Sequence, residues 1–123
     1  MANLLLLDVE NNKVRELKCD ALHDYYEALN CRCFDIVSRR IGKKYFDLFI
    51  DDEGLFKEDP IISAINNLGS PMLVGNIIFA KHDSEGNTID LAETEVKYIK
   101  KYIQKMYTRK HPEGYRMLTN CEY

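Results

Sequence analysis

Tryptophan is absent from these 123 residues, and proline (three) and glycine (six) are scarce. That scarcity excludes a collagen-like chain or a long flexible linker. Cysteine is sparse as well. Cys19, Cys31, Cys33 and Cys121 form no Cys-x-x-Cys pair, so the usual zinc spacings are missing. No disulfide framework is expected, and Cys31 and Cys33, two residues apart, are expected as small apolar packers on one face of a strand. Long hydrophobic runs are missing too. Leu4 to Leu7 ends at Asp8, too short and without the basic flank of a signal-peptide core. Nothing approaches the roughly 20 apolar residues of a membrane helix. The expected compartment is the cytoplasm, with no membrane partner. Neither sign of charge dominates, with 17 Lys and Arg against 20 Asp and Glu for a net −3. A general nucleic-acid binder is usually basic, so such a role would need a local patch or acidic mimicry. Neither Gly-x-Gly-x-x-Gly nor Gly-Lys-Ser/Thr occurs, which removes the markers of dinucleotide and P-loop chemistry. No cofactor and no metal are expected.

What is present is an ordinary globular composition, 46% hydrophobic and 30% charged. The length suits one domain, 1–123, with a core over 1–108 and a tail over 109–123. The expected fold class is α+β: a mainly antiparallel sheet of about five strands with helices packed on it. Leu4 to Val9 and Lys13 to Cys19 flank an Asn-rich turn and predict a hairpin with a buried first strand. Leu22, Tyr25, Tyr26 and Leu29 recur at helical spacing and predict a helix over 21–30, capped by Asp20. Residues 31–39 alternate and predict a strand, returning after Gly42 as Tyr45 to Ile50. Asp59-Pro60 predicts a short helix over 60–67. Residues 72–81 predict one deeply buried strand with a bulge at Gly75. Asp90 and Glu93 make a capping pair for a long C-terminal helix over 91–107, with Val96, Ile99, Ile103 and Met106 as its stripe. The tail beyond it, with Pro112 and Gly114, is expected to be irregular.

Candidate chemistry is thin. His23, His82 and His111 are the only histidines, and no local signature surrounds any cysteine, so an enzyme using a Cys–His pair is the weakest reading. The acidic run Asp51-Asp52-Glu53-Gly54-Leu55, with Glu58 and Asp59 beyond it, lacks calcium-loop spacing. Two basic clusters stand out. One is Arg39, Arg40, Lys43 and Lys44 at a hairpin tip, which could be no more than a solvated turn. The other gathers Lys100, Lys101, Lys105, Arg109, Lys110 and Arg116, interleaved with Tyr107 and Tyr115. Arginine forks hold phosphate oxygens, lysine adds point charge, and tyrosine offers a stacking face for a base.

Gly69-Ser70-Pro71-Met72-Leu73-Val74-Gly75-Asn76-Ile77-Ile78-Phe79, read with Phe46 to Leu55, resembles a family of uncharacterised small proteins, domain of unknown function 3846. Its members occur in phages, plasmids and conjugative elements of Gram-positive bacteria. The likeness covers about residues 3–106 and carries no catalytic residues across. It implies an origin in mobile elements, where small proteins often counter host defence. The expectation is therefore a non-enzymatic, oligomeric protein that sequesters a small anionic nucleotide signal of the cyclic ADP-ribose type, by analogy with anti-Thoeris sponges. Arg109 and Arg116 would take phosphates, Tyr107 or Tyr115 a base, and Lys105 and Lys110 would add charge. The alternative is an anti-CRISPR-like blocker of a host defence nuclease that uses the acidic run from Asp51 to Asp59 as a phosphate mimic.

Overall fold

The computed structural model describes residues 2–54 and 60–123. Among them are eleven strands and two short helices, arranged in two sheets. The chain opens with the hairpin β1 (Ala2–Asp8) and β2 (Lys13–Cys19), paired in register from Ala2 with Cys19 to Asp8 with Lys13. Helix α1 (Leu22–Leu29) follows, then β3 (Phe34–Ile41), β4 (Lys44–Asp51), β5 (Ile62–Ile65), β6 (Pro71–Val74), β7 (Ile77–His82) and β8 (Thr88–Ile89). Helix α2 (Glu93–Lys101), β9 (Ile103–Met106), β10 (Tyr115–Leu118) and β11 (Cys121–Glu122) complete it.

The larger sheet runs β11-β3-β4-β7-β1-β2, with β8 added beside β7; the smaller runs β6-β5-β10-β9. The four leucines of β1 explain the layering. Side chains alternate along a strand, so Leu5 and Leu7 face one way and Leu4 and Leu6 the other. All four are at most 1% exposed, so both faces of the sheet are covered. Each such burial is worth roughly 1.5–3 kcal/mol. Leu5 and Leu7 join Ile77, Phe79, Leu73, Ile99 and Leu118 in a core between the two sheets and α2. Leu4 and Leu6 join Ile78, Phe49 and Leu29 in a second core under α1. There Tyr25 stacks on Phe49 at 4.7 Å and lies against Phe34 at 5.7 Å.

Several expectations need correction. The single α+β sheet of about five strands is two sheets in a mostly β architecture. The helix expected over 60–67 is strand β5 where the chain is described, and its capping Asp59 lies outside the described residues. Ile62 and Ile65 are β-branched, and Ala64 seats in parallel register against Leu118; that tertiary pairing overrides the local start signal. The strand expected over 72–81 breaks in two. Gly75 holds φ at +78° and, with Asn76, turns the chain from the smaller sheet into the larger.

The long C-terminal helix is not borne out. Helix α2 stops at Lys101, because the Tyr102 carbonyl accepts both the Thr119 amide at 2.7 Å and its hydroxyl at 2.8 Å. Ile103 and Met106, expected on the helical stripe, pair instead with Leu118 and Tyr115. The tail is not irregular throughout, since it supplies β10 and β11, one strand to each sheet. Helix starts also differ. Asp24, not Asp20, reaches back to accept the amides of Asp20 and Ala21 at 2.8 and 3.0 Å. Glu95 does the same for Ala92 at 2.7 Å, while Asp90 accepts the Asn3 amide at 2.6 Å. Cys31 and Cys33 precede β3 rather than lying within it.

Candidate anion-binding groove

Hairpin β1–β2 places Lys13 at the first position of an edge strand, next to Val14. Asn12, at φ +53°, turns the hairpin and presents two acceptors to β10. Its side-chain oxygen takes the Arg116 amide at 2.8 Å, and its carbonyl takes Arg116 Nη1 at 3.0 Å. The guanidinium is thereby fixed beside the hairpin with donors to spare. Lys100, in the last turn of α2, comes in from a third direction. Lys13, Val14, Lys100, Ile103 and Arg116 together line an open groove of about 400 Å³. The three cations are exposed, while Val14 and Ile103 are half-buried and belong to the core beneath.

The expected site residues separate. Arg116 lies in the groove. Lys105 is its cross-strand partner on β9 and so shares its face. Lys105 Nζ lies 5.8 Å from the centre of the exposed Tyr107 ring. That ring packs on Gly114, where an added Cβ would sit 2.8 Å from it. Tyr115 is only 6% exposed, and its hydroxyl donates to the Ile62 carbonyl at 2.6 Å, so it ties β10 to β5 within the smaller sheet and offers no stacking surface. Arg109 and Lys110 ride the turn closed by the mutual Thr108–His111 backbone bonds and do not line the groove. Lys13, the third cation, was missed because it lies 103 positions from Arg116, and only the hairpin's docking on β10 unites them.

The second basic cluster is tied to aromatic rings. Arg39 stacks on Tyr123 at 4.7 Å, and Lys44 and Lys101 lie over Tyr98 at 4.9 and 5.5 Å. The Tyr98 hydroxyl donates to the Ile41 carbonyl at 2.7 Å and accepts the Lys43 amide at 2.8 Å. Burial raises its pKa, but the Lys43 amide, the Tyr102 hydroxyl and the two lysines outweigh that and lower it. Arg40 sits across from Glu122. These cations hold the β3–β4 hairpin to α2 and the chain end.

No histidine or cysteine lines the groove. His23, His82 and His111 each pair with a carboxylate, respectively Asp24, Asp47 and Glu113. Burial pushes the thiols of Cys19 and Cys121 up to about 11, opposite to the depression an attacking cysteine needs. Among the described residues no three metal-ligating side chains gather, and no helix is long and apolar enough to cross a membrane.

A family model described as a domain of unknown function (DUF3846) matches residues 2–107. Lys13 and Lys100 fall inside the match, while Arg116 and strands β10 and β11 fall beyond it. No curated protein and no solved structure matches the chain.

Proposed function

The chain belongs to the DUF3846 family, and we propose that it is a non-enzymatic binding domain that holds a small anionic nucleotide in the groove around Lys13, Lys100 and Arg116. In a phage or other mobile element, such binding would withdraw a nucleotide signal of host defence. One observation carries the reading. Three cations from distant segments surround a single concavity on a chain of net charge −3. Solvated charges on an acidic surface gain nothing by converging, whereas a phosphate group repays the convergence. Arg116, pre-oriented by Asn12, offers the fork, and the two lysines add point charge. Tyr107, exposed beside Lys105, remains the ring available to a base. The groove is open on its solvent side, and a second copy of the chain is the proposed cover.

The rival reading, a mimic of nucleic-acid phosphate on the run from Asp51 to Asp59, has less support. Asp51 is 6% exposed, and Arg32 clamps both carboxylate oxygens of Glu53 at 3.1 Å. The rest of that run, Leu55 to Asp59, lies outside the described residues.

Calorimetry with cyclic ADP-ribose isomers, cyclic oligonucleotides and inorganic pyrophosphate tests the proposal. Saturable binding that weakens with added salt is expected. A charge-assisted hydrogen bond is worth about 1.5–3 kcal/mol, so Arg116→Gln should weaken binding at least about tenfold. No heat with any of these compounds at tens of micromolar removes the reading.

A further inference from the structure

The cationic groove does not stop at Lys100. A second cavity, of about 630 Å³, adjoins it and shares that lysine. Its walls follow from two periodicities. On β2, residues 14, 16 and 18 point to one face, and Glu16 and Lys18 line the cavity. On α2, Glu93, Lys97 and Lys100 are spaced by four and three and so share a stripe. Leu91 and Val96, each 7% exposed, form the apolar floor. From Val14 to Lys18 the strand spans about 13 Å, and from Glu93 to Lys100 the helix spans about 10 Å. The two lobes meet at their shared Lys100, and a cleft running along both would be about the length of a single nucleotide.

The cleft is electrically polarised. The lobe at Arg116 is lined by three cations and no carboxylate. The other lobe adds Glu16 and Glu93 balanced by Lys18 and Lys97, with Lys97 drawn toward Glu93 at 3.8 Å. A phosphate in that second lobe would meet two carboxylates as well as two lysines and so gain no net attraction there. A sugar hydroxyl or a base amine would instead find acceptors there, above an apolar floor.

We infer that the ligand is a nucleotide whose charge is confined to one end. A phosphate or pyrophosphate sits between Lys13, Lys100 and Arg116, and a neutral, hydrogen-bond-donating nucleoside part lies between β2 and α2 with Glu16 as its acceptor. This rests on the anion-binding reading of the same groove and narrows it. Compounds of the cyclic ADP-ribose kind, with phosphates gathered on one edge, fit the cleft. Cyclic dinucleotides and nucleic-acid strands, with charge distributed along them, do not.

The test compares pyrophosphate, ADP, a cyclic ADP-ribose isomer and a cyclic dinucleotide by calorimetry at one salt concentration. Wild-type protein and the Glu16→Ala and Glu93→Gln variants are used, each checked for an unchanged melting temperature. Wild-type protein is expected to bind ADP about tenfold more tightly than pyrophosphate, the difference reporting the nucleoside lobe. Glu16→Ala should erase that preference while pyrophosphate binds at least as well as before, and Glu93→Gln should reduce it less. Full nucleoside preference in Glu16→Ala overturns the inference while leaving the anion site standing, as does a cyclic dinucleotide bound as tightly as ADP. Pyrophosphate and nucleotides all failing to bind wild-type protein overturns the anion site itself.

Discussion

Replacing Asn76 tests the architecture at a point the sequence motif marks. Asn76 is 3% exposed where the chain crosses from the smaller sheet to the larger. Its side-chain oxygen accepts the Val9 amide at 3.0 Å and, more weakly, the Glu10 amide at 3.5 Å. Its amide nitrogen donates to the Ala28 carbonyl at 3.1 Å. One side chain thus ties the end of the first hairpin strand to the end of α1. Asn76→Ala leaves the Val9 amide buried without its partner and frees the Ala28 carbonyl, which is half-buried and can partly recruit water. A buried polar group stripped of its partner costs about 1–3 kcal/mol, so the pair predicts a loss of roughly 2–4 kcal/mol. For a chain of this size that lowers the melting temperature by roughly 10 °C. Asn76→Asp keeps an acceptor for Val9 but sets a buried carboxylate against the Ala28 carbonyl. At neutral pH it should destabilise at least as much. In acid the protonated carboxyl can donate again and regain part of the loss. Urea unfolding with an unchanged m-value measures this. A loss under about 0.5 kcal/mol for Asn76→Ala would refute the clamp, because no buried pair of bonds is so cheap to remove.

Gly42→Ala should destabilise the chain more than an ordinary glycine replacement in a turn. The residue sits at φ +63°, and a Cβ there would collide with the Tyr102 ring and lie 2.6 Å from the Tyr98 hydroxyl, so a clear fall in melting temperature is expected. In a thiol titration near pH 8, the exposed Cys33 should react quickly, and Cys19 and Cys121 only after denaturant is added, since burial raises both thiols to about 11. The hydrogen bond to Asp47 at 2.6 Å, and then its charge, raise His82 above its ordinary value of 6.5. A raised histidine contributes stability that is complete below the unfolded value and fades as pH climbs through the folded one. The stability gap between wild type and His82→Gln should therefore be widest near pH 5–6 and narrow above it, and a gap that widens toward alkaline pH would contradict the pairing.

The parts of the fold legible in the sequence were those governed by local pattern. The hairpin from Ala2 to Cys19, the helix ending at Leu29 and the return of β4 after Gly42 carry their turn residues and periodicities with them. The failures came where a distant strand decided the matter. Ile62 to Ile65 reads as helix after Pro60, yet it pairs with β10 across more than fifty positions. Ile103 and Met106 continue a helical stripe, yet Thr119 takes the Tyr102 carbonyl and the chain straightens. The site was half legible for the same reason. Arg116 stood out by composition, and Lys100 belonged to the same basic cluster. Lys13 looked like an ordinary strand cation until the hairpin was placed on β10. Tyr115 looked like a stacking ring, but it is buried in the main core with its hydroxyl on the Ile62 carbonyl.

The most direct measurement is an amide-resolved NMR titration of the whole chain with ADP. Saturable shifts should concentrate at Lys13, Val14, Lys100 and Arg116 and spread to Glu16 and Val96, leaving the Arg39–Lys44 hairpin tip unmoved. A spectrum that does not change, or shifts centred on that hairpin tip, would contradict the account.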